Sequence, residues 1–198
     1  MTLVFVHGFC MTADAWHFQR QDLADLGRTV GYDQRAHGRS GPSDVEHCTI
    51  AQLADDLHRV LDDRAPTGPI VLIGHSMGGM TVLGLAEPHP ELFGDRIIAV
   101  ALLSTRGRAN SSAWRLGLPA IVTAAARQRG GCRRDTGAPQ VPEPVVDSLI
   151  EMIASTPIPV IGAFLPTLVD HDRLRPPACC AIPSLREKTI PWHQVERI

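Results

Sequence analysis

The residues of this chain best suited to covalent chemistry are a serine set between two glycines, Gly74-His75-Ser76-Met77-Gly78. Glycines two places either side allow a sharp strand-to-helix turn, and a serine at its apex has its hydroxyl held clear of the sheet as a nucleophile. The neighbours fit that geometry. Ile70-Val71-Leu72-Ile73 is an apolar, β-branched run, and Met77 to Ala86 is a helix-compatible stretch closed by Pro88. Gly79 adds a second small residue where helix and strand must approach. Two rival readings of a glycine-rich turn fail: a phosphate loop needs Lys-Ser/Thr after its last glycine, where Met80-Thr81 stands, and a dinucleotide fingerprint needs a third, differently spaced glycine.

The elements that must position this serine read as an alternation. Thr2 to Val6 is a strand ending in the turn His7-Gly8-Phe9, and Asp14 to Leu26 is a helix with Asp14 as N-cap and Gly27 as stop. Thr29 to Tyr32 is a second strand, followed by a polar loop from Asp33 to Gly41. Thr49-Ile50-Ala51-Gln52 is a capping box, behind which Leu53, Leu57, Val60 and Leu61 form one apolar stripe. After the serine, Arg96 to Ser104 is a continuous apolar run of the kind found in buried parallel strands. Four strands separated by helices imply a mostly parallel, doubly wound α/β sheet covered on both faces.

Beyond Thr105 the rhythm changes. Trp114 to Arg129 reads as a helix broken at Gly117-Leu118-Pro119, Gly130 to Pro144 as a loop, Val145 to Ala154 as an amphipathic helix, and Pro157 to Leu174 as an apolar segment interrupted by Pro159 and Pro166. Residues 1–105 are therefore expected to form the core, 106–174 a helical cap, and 175–198 a remnant of further core.

Length and composition bound the rest. A chain of 198 residues is one domain, able to bury about 70% of its unfolded surface. With 44% apolar and 20% charged residues and a net charge of -2, nothing favours nucleic acid or an anionic membrane as partner. The five cysteines are scattered without metal spacing, which fits reduced thiols and a cytoplasmic location, and neither a signal peptide nor a membrane span is expected. No metal site is expected.

Three motifs in order, His7-Gly8-Phe9, Asp33-x-Arg35-x-His37-Gly38-x-Ser40 and Gly74-His75-Ser76-Met77-Gly78-Gly79, resemble those of the α/β-hydrolase family, in particular its cofactor-free esterase, lipase and haloperoxidase-like branch with a helical cap. The resemblance implies Ser76 as nucleophile, the backbone N–H groups of Phe9 and Met77 as oxyanion hole, and no cofactor. It assigns His7, His37 and His75 to shaping turns around the site.

The family's acid and histidine follow the cap. Here Ile182-Pro183-Ser184-Leu185 resembles the start of the acid-bearing strand, but Arg186-Glu187-Lys188 follows in place of the aspartate loop, and no final histidine loop is reached. Ser104 and Thr105 exclude an acid after the fourth strand. The substitutes are Glu187 for the acid and His171 or His193 for the base. The fold is thus expected to be an incomplete α/β-hydrolase sheet, truncated at both ends and poorly soluble alone because its edges would be unpaired.

Two functions remain open at this point: a serine hydrolase cleaving a small apolar ester through an acyl-serine, and a non-catalytic or truncated relative lacking the triad acid and histidine. Leu116, Leu118, Ile121, Val122, Phe164 and Leu165 in the cap point to an apolar acyl or alkyl group.

Overall fold

The computed structural model describes residues 1–105 and 142–171. The helix expected from Trp114, the tail from Arg175, and with it Glu187 and His193, lie outside the described residues.

Four strands, β1 (Thr2–Val6), β2 (Arg28–Tyr32), β3 (Ile70–His75) and β4 (Ile97–Leu103), form one all-parallel sheet in the order β2-β1-β3-β4. Every residue of β1 is buried, because it is a central strand covered on both faces. Its register brings Val6 opposite Gly74, so the chain leaves β1 and β3 at the same level of the sheet. Loops at that carboxyl end are where an open α/β sheet builds its site.

Helices α1 (His17–Asp22), α2 (Ile50–Arg64) and α3 (Met77–Ala86) connect the strands, and α4 (Glu143–Ser155) and α5 (Ile158–Val169) fall within the segment expected as a cap. Helix α2 buries Ala54, Leu57 and Leu61 beside Val4, Val30 and Leu72 of the sheet and Leu85 of α3, while Ile50 and Leu53 pack with Met77, Met80 and Phe164. Val60, expected in that stripe, is only partly buried. Thr49 caps the helix as expected, accepting the Gln52 amide at 3.1 Å, but the Gln52 side chain reaches forward to Asp56 and so does not close the capping box.

Two expectations are corrected. The helix expected from Asp14 to Leu26 is three short pieces: a 3-10 turn Ala13–Trp16, then α1, then a 3-10 turn Ala24–Leu26. Thr12, not Asp14, is its N-cap. The cause is tertiary: the Asp33 carboxylate accepts the Ala13 amide at 2.7 Å and Trp16 turns into the core against Phe5, leaving Phe18 and Leu26 outside. The second correction concerns β4. It is an edge strand among the described residues, with Ile97 buried but Ile98 53% and Leu103 43% exposed, so its continuous apolar character does not reflect burial on both faces.

In the cap, α5 runs through both prolines expected to interrupt it. Pro159 lies in the first turn, where an absent N–H costs nothing, and Pro166 is tolerated in the last turns. Val160, Phe164 and Leu168 form its buried stripe. No single helix among the described residues is long and apolar enough to cross a membrane; α4 and α5 pass that test only together, bent by 91°.

Candidate active site

The site begins at the end of β3. Ser76 has φ 51° and ψ -115°, a conformation costly for any residue with a Cβ, and its amide is fixed by a 2.9 Å hydrogen bond to the Leu103 carbonyl. Its own carbonyl accepts the amides of Gly79 and Met80 (3.0 and 3.2 Å) and the Thr105 hydroxyl (2.6 Å). The helix therefore starts directly beneath the serine. The amide of Met77, at the first helical position, has no intrahelical acceptor.

The glycines explain why the motif tolerates nothing larger. A Cβ on Gly74 would lie 2.8 Å from the Gly79 backbone, one on Gly78 would lie 2.2 Å from the Val6 carbonyl oxygen, and one on Gly79 would lie 2.5 Å from Thr105 Oγ1. Helix α3 thus rests on the ends of β1, β3 and β4 with no space between.

Phe9 approaches from β1. The Met11 amide bonds to the Gly8 carbonyl at 3.2 Å and Cys10 takes φ 56°, closing a turn in which the Phe9 amide has no part. Gly8 packs so closely on His75 that a Cβ there would lie 2.6 Å from its Nδ1. The turn carrying Phe9 and the residue preceding Ser76 are therefore in contact.

The polar loop after β2 braces this turn. His7 is fully buried; its Nδ1 donates to the Gly8 carbonyl (2.8 Å) and its Nε2 accepts the Gln34 amide (2.8 Å), so both hydrogen bonds demand the neutral ring. Gln34 donates in turn to the His7 carbonyl at 2.7 Å and accepts from Thr81 of α3 at 2.9 Å. Asp33 accepts the amides of Ala13 and Arg39 and the Arg39 guanidinium; burial alone would raise its pKa, but these donors hold it below the usual carboxylate value. A Cβ on Gly38, whose φ is +52°, would collide with that carboxylate at 2.6 Å. Arg35 is spent on a bidentate pair with Asp56 at 2.7 Å. The Asp-x-Arg-x-His-Gly motif therefore builds the scaffold, and none of its side chains is hydrogen-bonded to the Ser76 hydroxyl.

Burial pushes the His7 pKa down to about 4, from an ordinary 6.5, with the Gly8 carbonyl opposing the shift. An imidazole depressed in the folded state stabilises the fold fully above 6.5, and that contribution is lost as pH falls from 6.5 towards 4, because the unfolded chain binds the proton first. The shift corresponds to about 3 kcal/mol. His37 and His75, also held down by burial, act in the same direction. Denaturant unfolding at pH 7 and pH 4.5 should show this loss, and a His7→Gln chain should show less of it; equal stability at both pH values would contradict the assignment.

The strain at Ser76 gives a second test. Ser76→Gly should raise the unfolding free energy by about 1 kcal/mol, after the entropy cost of glycine, whereas Ser76→Ala should not. Equal midpoints for the two variants would show that the turn holds no strain.

Of the predicted site residues, Ser76, Phe9 and Met77 converge at one end of the sheet. His171, offered as a substitute base, is 5% exposed, just beyond α5. Ser76 is held through its backbone, by the Leu103 carbonyl, the Gly79 and Met80 amides and the Thr105 hydroxyl. Gln34, Thr81 and Thr105 were not legible as site supports, since single polar residues in a loop or helix carry no pattern. For metal ligation, Asp44, Glu46 and His47 have ligand atoms within 4.8 Å of one another, all exposed and apart from the serine's own set of contacts.

A family model described as alpha/beta hydrolase fold matches residues 2–151. The chain belongs to this family. Among curated relatives of this alpha/beta hydrolase, the dihydrolipoyllysine-residue acetyltransferase component of the acetoin cleaving system of Cupriavidus necator is 37% identical over 106 residues, 54% of this chain and 27% of the relative. The non-heme chloroperoxidase CPO-A1 of Kitasatospora aureofaciens is 37% identical over 78 residues, 39% of this chain and 28% of the relative. A solved thermophilic esterase from Thermogutta terrifontis superposes with a TM-score of 0.66 at 26% identity, covering 87% of this chain and 65% of the esterase. The chain thus spans roughly a quarter of the length of these curated relatives.

Proposed function

We propose that this alpha/beta hydrolase cleaves carboxylic esters of small apolar acyl or alkyl groups by acyl transfer to Ser76. The observation that carries the reading is the backbone at Ser76: φ 51° in a non-glycine residue, held between the Leu103 carbonyl and the first turn of α3. A strained turn kept at such a cost is a device for presenting a side chain.

In this reading Ser76 Oγ attacks the ester carbonyl, the Oγ–C bond forms, and the alkoxide leaves with the proton that Oγ gave up. The negative charge on the carbonyl oxygen is met by the amides of Met77 and Phe9, aided by the helix N-terminus. Water then releases the acid by the reverse path. Acyl transfer is redox-neutral, so the step calls for no cofactor. The proton acceptor is an imidazole, His171 or His193, with Glu187 as its acid partner. The apolar rings of Phe9 and Phe164, 6.2 Å apart, support an apolar substrate.

His7 and the histidine and acid of the Asp-x-Arg-x-His-Gly loop are committed to the backbone and to Arg–Asp pairs, which supports a second reading, a protein that keeps the elbow but not turnover. Purified chain incubated with a short-chain aryl ester separates the two. Hydrolysis blocked by an organophosphonate supports the enzyme; phosphonylation of the serine without hydrolysis supports the second reading.

A further inference from the structure

His37 sits where the core meets the cap. Its ring lies 6.0 Å from that of Phe9 in the turn after β1, 5.6 Å from that of Phe164 on α5, and 5.5 Å from that of His7. The Nδ1 atom faces the Arg35 carbonyl at 2.9 Å and so carries the ring proton, leaving Nε2 as the basic nitrogen. Nε2 is buried and has no hydrogen-bond partner, and the residue is 1% exposed. We propose that His37 is a pH-sensitive latch for α5: the neutral imidazole seats the helix over the Phe9 turn, and protonation unseats it.

The argument is one of solvation. A proton on Nε2 creates a cation whose new N–H meets no acceptor in this aromatic setting, and such a group is tolerated only where water can reach it. The rings of Phe164 and Phe9 pack against the imidazole, and Phe164 belongs to the helix held by few polar contacts. Among the described residues, a single hydrogen bond joins α5 to α2, from the Ile50 amide to Thr167 Oγ1 at 3.2 Å; the remainder is the apolar packing of Val160, Phe164 and Leu168 on Ile50, Leu53, Met77 and Met80. Release of α5 therefore hydrates His37 without opening the sheet.

The surrounding charges do little to oppose this. His7 is held neutral by its own two hydrogen bonds, Asp33 is committed to Ala13 and Arg39, and Arg35 to Asp56. Helix α3 and the span 158–169 of α5 carry no titratable side chain, and Asp170 and His171 follow α5. Burial lowers the His37 pKa, against the Arg35 carbonyl and Asp33, which accords with a ring that is neutral while α5 is seated. Helix α5 is thus released on acidification, independently of whether Ser76 turns over.

Hydrogen exchange of the full chain, followed by mass spectrometry from pH 8 to pH 5 and corrected for intrinsic rates, tests the latch. Peptides from 158–169 should lose protection below pH 6.5, by up to about tenfold per pH unit, and should exchange faster than those from 70–75 at every pH, because the core strand opens only by global unfolding, to which buried His7 gives its own pH dependence. His37→Phe, which keeps a ring but takes no proton, should abolish the dependence, and His171→Asn should preserve it. A pH-independent 158–169, an unchanged slope in His37→Phe, or exchange of 158–169 at the same rate as 70–75 would each overturn the proposal. Should His37→Phe not fold, an NMR titration of the native His37 ring decides: its midpoint must coincide with that of the α5 signals, and separate midpoints would refute the latch.

Discussion

Gly78→Ala should leave the chain without a stable fold. The added methyl would sit 2.2 Å from the Val6 carbonyl oxygen and 2.6 Å from that of His7, and both obstacles are backbone, at the end of the fully buried β1 and the residue after it, so no rotamer change relieves them. Helix α3 would have to lift from the sheet, losing the close seat that Gly74 and Gly79 provide as well as the Thr81 to Gln34 hydrogen bond. Overpacking of this kind costs about 3 kcal/mol or more, a large share of the stability of an ordinary domain. Gly84→Ala on the same helix is the control. Its methyl would meet Ile50 Cγ2 at 3.2 Å and Ala54 Cβ at 3.3 Å, contacts that a rotation of Ile50 and a shift of a few tenths of an ångström between α2 and α3 accommodate, and alanine is the better helix former by about 1 kcal/mol. Urea unfolding of the two variants should therefore differ sharply. A Gly78→Ala chain unfolding at the native midpoint would show that α3 does not lie where described.

On the proposed acyl-serine reading, Ser76→Ala should reduce ester turnover by a factor on the order of 10⁶, the cost of deleting the nucleophile of a serine hydrolase, while leaving the unfolding midpoint close to native. The asymmetry follows from the position. Residue 76 is held through its backbone amide and carbonyl, contacts that do not depend on the side chain, so removal of the hydroxyl takes little from the fold. The oxyanion donors offer no such variant, since the amides of Phe9 and Met77 persist whatever side chain stands there. Steady-state kinetics on an aryl ester, paired with the melt, checks both halves of this expectation. A variant with native turnover would place the chemistry elsewhere.

Much of this arrangement was legible in the residues. The strand, turn and helix around Ser76 follow from a β-branched run, paired glycines and an apolar stretch before Pro88, where local preference and tertiary demand agree. The parallel sheet followed from strands alternating with helices. What was not legible is where a distant partner decides. The segment after Thr12 has helical spacing, yet Asp33, reached only through the fold, takes the Ala13 amide and divides it into short turns. The apolar run of β4 gives no sign of its place at the edge, because composition records apolar character and not what lies beside it. His171 between two aspartates looks solvated in sequence, but the end of α5 carries it inward. The Asp-x-Arg-x-His-Gly loop looks rich in chemistry, and its hydrogen bonds show it occupied in holding the Phe9 turn against the elbow.

The central claim is that the side chain at position 76 is a presented nucleophile. Its most direct test is to treat the folded native chain with a fluorophosphonate, digest it and locate the adduct by mass spectrometry. A single phosphonyl group on Ser76, absent from heat-unfolded protein, is the predicted result. Folded protein that leaves Ser76 unmodified at saturating reagent would contradict the account.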